Sequence, residues 1–168
     1  AYLEKALGRP VELIIPTNYN ATVEGLGNGS LDVAYLGGLT YVKAHERYGA
    51  IALVQRQTDR EFHALFITQM NSPIKSLKDL KGKSFAFGDF NSTSGHLMPY
   101  RAMQDVRIDP DKDLNYRYTG SHAATVKAGE SGAVDDGASD ETVSTAMTSH
   151  GPPDPTHLRT INATNPFV

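Results

Sequence analysis

The 168-residue sequence contains no cysteine and no tryptophan. Without cysteine there are no disulfides, thiolate metal sites or cysteine nucleophiles, and the sequence is indifferent to the redox poise of its compartment. Basic residues never run longer than two, and Lys plus Arg number 16 against 19 Asp plus Glu, a formal charge of -3. The clustered positive footprint of a nucleic-acid binder is therefore missing. The longest apolar stretches, Ala64 to Thr68 and Ile51 to Val54, fall far short of the ~20 residues a bilayer-spanning helix needs. The sequence reads as that of a soluble protein. With 39% apolar and 21% charged residues it has the composition of one or two ordinary globular domains.

Short β-branched runs alternate with helical spacing. Strands are predicted at Val11 to Ile15, Leu31 to Leu36, Ile51 to Val54 and Phe62 to Thr68, with helices between them ending near Gly27 and spanning Leu39 to Arg47. This order is the signature of a parallel α/β sheet. Gln69 to Ser72 breaks the pattern, and a short amphipathic turn, Ser76 to Gly82, follows. The alternation then restarts: strands at Ser84 to Phe87, Leu114 to Tyr118, Ala133 to Ala138 and Leu158 to Asn162, and helices at Gly95 to Val106, Ser121 to Ala128 and Asp140 to Thr148. Pro99 near a helix start predicts a short or bent first turn.

The ends predict a cut. Ala1 to Gly8 reads as the last turns of an amphipathic helix closed by Gly8, with no capping residue before it, and Thr164 to Val168 stops in mid-element. The expectation is the middle of a longer chain with an export signal. An internal echo, Gly27-Asn-Gly-Ser-Leu-Asp32-Val-Ala-Tyr against Gly129-Glu-Ser-Gly-Ala-Val-Asp135-Asp-Gly-Ala, is compatible with two similar lobes, and equally with any two helix-to-strand turns.

Several catalytic patterns fail on spacing. His45-Glu46 lacks a second His at i+4, Gly82-Lys83-Ser84 has Leu77 where a phosphate loop needs Gly, no Gly-x-Ser-x-Gly elbow exists, and the six His are scattered. What survives is Gly88-Asp89-Phe90-Asn91-Ser92-Thr93-Ser94-Gly95-His96, a polar loop running from a strand into a helix. Consecutive hydroxyls at a helix N-terminus offer N–H and O–H donors and the positive end of the helix dipole, which is either an anion cradle or an ordinary cap.

Taken with Asp32-Val-Ala-Tyr-Leu-Gly-Gly, Glu61-Phe-His-Ala-Leu-Phe-Ile-Thr and Ser76-Leu-Lys-Asp-Leu-Lys-Gly-Lys-Ser-Phe-Ala-Phe-Gly-Asp, that loop resembles the phosphate, phosphite and phosphonate binding components of ABC importers over nearly the whole sequence. The resemblance implies a type 2 periplasmic binding protein, two α/β Rossmann-like lobes joined by a two-stranded hinge, here without both ends of the first lobe. Residues 1–68 would form the first lobe, 69–72 a hinge, 73–160 the second lobe, and 161–168 the return hinge. It implies an extracytoplasmic protein, periplasmic or lipid-anchored, that hands a small phosphorus oxyanion to a membrane permease, acts as a monomer and uses neither cofactor nor metal. Phosphite or a phosphonate is the expected ligand, with phosphate as the alternative.

By the same resemblance Ser92, Thr93 and Ser94 form the oxyanion loop, Tyr19 reaches the ligand from the first lobe, and His122 opens a second-lobe helix toward it. His63 stands where the family often has Tyr, and Glu141 matches an acidic residue after the Val-Asp strand. Each also has a plainer reading: a core histidine for His63, a sheet-edge cover for Tyr19, a cap for His122, a solvated face for Glu141. The rival from another class is an enzyme on the same architecture, such as a pyrimidine-precursor synthase. The lack of cysteine and of clustered ligand spacing speaks against it.

Overall fold

A computed structural model describes residues 2–149 and 157–167. Ala1, at the start of the expected first helix, and Val168, at the end of the expected return hinge, lie outside the described residues.

The centre is a five-stranded sheet. Its strands are β1 (Ala64–Gln69), β2 (Ser84–Phe87), β3 (Asn115–Tyr118), β4 (Asp136–Asp140) and β5 (Leu158–Ala163), in the spatial order β3-β2-β4-β1-β5. β2 pairs in parallel with β3 and β4, whereas β1 runs antiparallel to β4 and β5. The sheet is therefore mixed, where alternation alone predicted a parallel one. Strand direction depends on the end from which the chain enters, which composition does not encode.

Strand periodicity sends Phe66, Phe85, Phe87 and Ala138 to one face, where they join Ile74, Leu77, Leu80, Met103 and Ile108 in the main core. The opposite face places Ile67 with Val126 and Leu158. Met103 comes from α4 (Met98–Asp105) and Val126 from α6 (His122–Glu130), so helices cover both faces, as an α/β sheet requires. α5 (Pro110–Asp113) precedes β3, and α7 (Glu141–Ser149) follows β4 directly. Thr125 of α6 presses on Gly137 of β4 so closely that a Cβ there would lie 2.7 Å from Thr125 Cγ2. That contact holds the α6 N-terminus at the end of the sheet where β4 finishes.

The N-terminal part is built differently. α1 (Tyr2–Leu7), α2 (Tyr19–Gly27) and α3 (Gly38–Tyr48) form near their expected positions, with Glu24 of α2 bonded to Arg47 and Tyr48 of α3. The strands predicted at Val11–Ile15, Leu31–Leu36 and Ile51–Val54 do not form. Leu13, Ile15, Tyr35, Ile51 and Val54 are each more than two-thirds exposed. A strand is held by a neighbour that takes its N–H and C=O groups, and no described strand lies beside these segments.

The expected boundary also shifts. Ala64–Gln69 is an integral strand of the five-stranded sheet, and Gln69–Ser72 turns at its far end, where Met70 N–H bonds the His157 carbonyl. A hinge at 69–72 would cut β1 from its own sheet. The chain enters the sheet instead at Phe62–Ala64 and leaves at Thr164–Phe167, where Phe62 and Phe167 form an antiparallel bridge and Thr164 N–H bonds the Ala64 carbonyl.

Candidate functional site

The loop after β2 reaches the edge of the sheet and turns back as a single wide turn, Thr93–Leu97, that runs into α4 with Pro99 in its first turn. Pro99 lacks an N–H, so it is tolerated where intrahelical donors are unused, and the widened turn is the bent start that its position predicts. Ser92 caps this turn: its Oγ accepts from Gly95 N–H at 2.9 Å. Gly88 N–H bonds the Gly95 carbonyl at 2.8 Å and closes the loop on itself. A Cβ on Gly95 would lie 3.0 Å from both Ser92 Oγ and His122 Cε1. With the Gly88 Cα at 3.2 Å as the third neighbour, any side chain at position 95 would have to push one of these groups aside.

Ser92 and Ser94 are buried and Thr93 is partly so. Ser94 Oγ lies 3.4 Å from His122 Nε2, which lies 3.3 Å from Asp140 Oδ2. The Asp140 backbone N–H donates to His122 Nδ1 at 3.2 Å. A nitrogen that accepts carries no proton, so neutral His122 holds its hydrogen on Nε2, on the side of Ser94 and the carboxylate. Burial lowers the His122 pKa, opposed by Asp140, and this favours that neutral form. Asp140 also caps α7, its Oδ1 accepting from Val143 N–H at 2.8 Å.

Tyr19, first residue of α2, brings its phenol to Ser92; its pKa is raised by burial first, and then by the charges of Asp140 and Asp89. From α3, Leu39 N–H donates to Thr93 Oγ1 at 2.8 Å. Because that bond uses the oxygen as acceptor, the Thr93 hydroxyl hydrogen stays free to donate to a further acceptor. The starts of α2, α3, the Thr93 turn, α6 and α7 thus meet in one place. Helix starts leave backbone N–H groups without intrahelical acceptors and carry partial positive charge, so their meeting favours an anion without any formal positive charge.

Tyr19, Ser92, Thr93, Ser94 and His122 are brought together. His63 and Glu141 lie beside them at the same end of the sheet, the Glu141 N–H facing the His63 carbonyl at 3.4 Å. His63 Nδ1 donates to the Thr164 carbonyl at 2.8 Å, and the Glu141 side chain is exposed. The acidic group that faces His122 is Asp140, which the sequence reading passed over. Neighbours at a strand end point in opposite directions, so one position separates a carboxylate against His122 from one in solvent. Two adjacent acids at a strand-to-helix junction were the only available signal. Leu39 was missed because it contributes its backbone. Among the described residues no cluster of His, Asp or Glu suits a metal ion, and no helix is long and apolar enough to cross a membrane.

Residues 1–168 match the family of ABC transporter phosphonate periplasmic substrate-binding proteins. A probable ABC transporter phosphite binding protein, PhnD1, from Prochlorococcus marinus strain MIT 9301 is 39% identical over 145 residues, 81% of this chain and 49% of its own length. The phosphate-import protein PhnD of Mycolicibacterium smegmatis is 28% identical over 95% of this chain and 54% of its own. The chain thus spans about half the length of these relatives. Among solved structures, PhnD1 from P. marinus in complex with methylphosphonate superposes with a TM-score of 0.93 at 33% identity, over 99% of this chain and 64% of that one.

Proposed function

Because the chain belongs to the periplasmic phosphonate-binding family of ABC transporters, a family of substrate-binding proteins rather than enzymes, we infer that it captures a small phosphorus oxyanion outside the cytoplasm for delivery to a membrane permease. The observation that carries this reading is the convergence of Ser92, Thr93 and Ser94 with Tyr19 and neutral His122 at several helix starts. Hydroxyls and N–H groups donate to the ligand oxygens. Asp140, rather than Glu141, is the acceptor for a ligand oxygen that still carries a proton, and it repels an oxyanion that carries none. His63 and Glu141 occupy the rim.

The reading includes two lobes, with crossings at Phe62–Ala64 and Thr164–Phe167 rather than at 69–72, and closure of one lobe on the other over the ligand. The antiparallel contacts between these segments supply the side-by-side crossings that a hinge needs. The protein acts as a monomer, free in the periplasm or held to the membrane as a lipoprotein. Phosphite or an alkylphosphonate is favoured: PhnD1 of P. marinus, named for phosphite and solved with methylphosphonate, aligns at higher identity than the phosphate importer.

Calorimetric titration with phosphite, methylphosphonate, phosphate and sulfate tests this. Phosphite or methylphosphonate should bind at least about tenfold more tightly than sulfate, which brings no proton for Asp140. Equal affinity for sulfate, or no binding of any phosphorus oxyanion, would overturn the assignment.

A further inference from the structure

Lys43 lies on α3, outside the group of residues assigned to the oxyanion, yet two features of the loop lead to it. Phe90 is 57% exposed at the loop tip, and two groups hold it. Its ring stacks on His96, with centroids 5.0 Å apart and planes 29° from parallel. His96 is itself fixed: Nδ1 donates to the Phe90 carbonyl at 2.8 Å, which leaves Nε2 to accept from the Tyr118 hydroxyl at 3.0 Å. The Lys43 ammonium also lies over the ring, 5.5 Å from its centroid, and donates to Asn91 Oδ1. One turn earlier on α3, Leu39 bonds Thr93. α3 thus holds the loop on both sides of Ser92, with the free N–H of Leu39 in its first turn on Thr93 and the Lys43 side chain on Asn91.

We propose that Lys43 is a positioning residue for oxyanion binding, which clamps Phe90 and Asn91 against α3 and so holds the Ser92–Ser94 donors in their binding arrangement. The proposal rests on the reading of that loop as the ligand site. Lys43 acts after the ligand has entered. Its ammonium is already engaged by Asn91 and the ring, so its role is to slow release and not to attract the anion from a distance.

The test is stopped-flow binding of methylphosphonate to the wild-type protein, Lys43→Met and Lys43→Arg, followed by tyrosine fluorescence. Lys43→Met removes a cation–π contact and a hydrogen bond, and release should accelerate roughly tenfold with association unchanged within about twofold. Lys43→Arg keeps both contacts through the guanidinium and should restore release to within about threefold of wild type. Slower, salt-sensitive association with unchanged release would overturn the proposal in favour of long-range attraction. An arginine variant as impaired as the methionine variant would overturn it too, as would unaltered release in Lys43→Met. A wild-type protein that binds no oxyanion would strike the functional reading itself, which separates the two failures.

Discussion

Residues 2–61 and 64–163 use the same vocabulary of short β-branched runs and amphipathic helices, with different results. In the second region Ser84–Phe87 becomes a strand with Phe85 and Phe87 fully buried. In the first, Ile51–Val54 is just as apolar and stays irregular, with Val54 93% exposed. The difference lies in partners. β2 has β3 on one side and β4 on the other, whereas no described strand runs beside Ile51–Val54. Apolar composition marks a segment as able to form a strand; a ladder neighbour decides whether it does.

The sharpest contrast comes from truncating equivalent residues. Phe85→Ala should cost about 3 to 5 kcal/mol of unfolding free energy, because it empties a fully enclosed site among Phe66, Phe87 and Met103. Denaturant titration checks it. A loss below about 1 kcal/mol would mean that the sheet is not the stable unit.

A smaller effect is expected where backbone and site meet. In Gly95→Ala the new methyl must displace Ser92 Oγ, His122 or the Gly88 backbone, at about 1 to 3 kcal/mol of overpacking. Methylphosphonate affinity should fall in calorimetry while the fold, followed by circular dichroism, persists. Retained affinity would show that this close approach does not shape the site.

Asp136 probes the core of the sheet. Its side chain is wholly buried, and neither carboxylate oxygen has a well-formed hydrogen-bond partner among the described residues. Burial raises its pKa well above the ordinary range, with the Gly137 N–H and the Arg159 charge offsetting only part of the effect. A raised carboxyl pKa means that the folded state holds the proton more tightly than the unfolded chain. The contribution of Asp136 to stability is therefore greatest in acid, and it falls as pH rises from the unfolded value near 3.8 through the higher folded one. Asp136→Asn cannot ionise. It should be more stable than wild type at pH 7, by on the order of 1 kcal/mol, and the gain should vanish below about pH 4. A gain independent of pH would assign the effect to packing.

The least change belongs to the first region. Leu53 is 67% exposed, and Leu53→Ala should shift stability by no more than about 0.5 kcal/mol. A loss comparable to that of Phe85→Ala would show that Ile51–Val54 is packed in solution.

What the sequence made legible follows the same line. Ser84–Phe87 could be read with both of its ends because glycines bracket it, Gly82 at φ +79° before and Gly88 after. Apart from the four-residue α5, which the sequence reading did not include, the helices were legible within a few residues because a helix satisfies its own hydrogen bonds, so its signal is local. The direction of β1, its place in the sheet and the failure of Val11–Ile15 to pair all depend on distant segments. The site divides similarly. Ser92, Thr93 and Ser94 announced themselves as hydroxyls at a helix start, whereas Asp140 was hidden beside Glu141 and Lys43 acts across 48 residues of sequence on Asn91.

The central claim is that the hydroxyl loop holds the ligand and does more than cap a helix. Calorimetric titration of a Thr93→Ala/Ser94→Ala double variant with methylphosphonate tests it most directly, because Ser92 and its capping bond to Gly95 are left in place. Hydrogen bonds to a charged group are worth about 1.5 to 3 kcal/mol each, so affinity should fall at least roughly a hundredfold while the thermal midpoint moves by only a few degrees. Affinity equal to that of the wild type would contradict the account and place the oxyanion elsewhere.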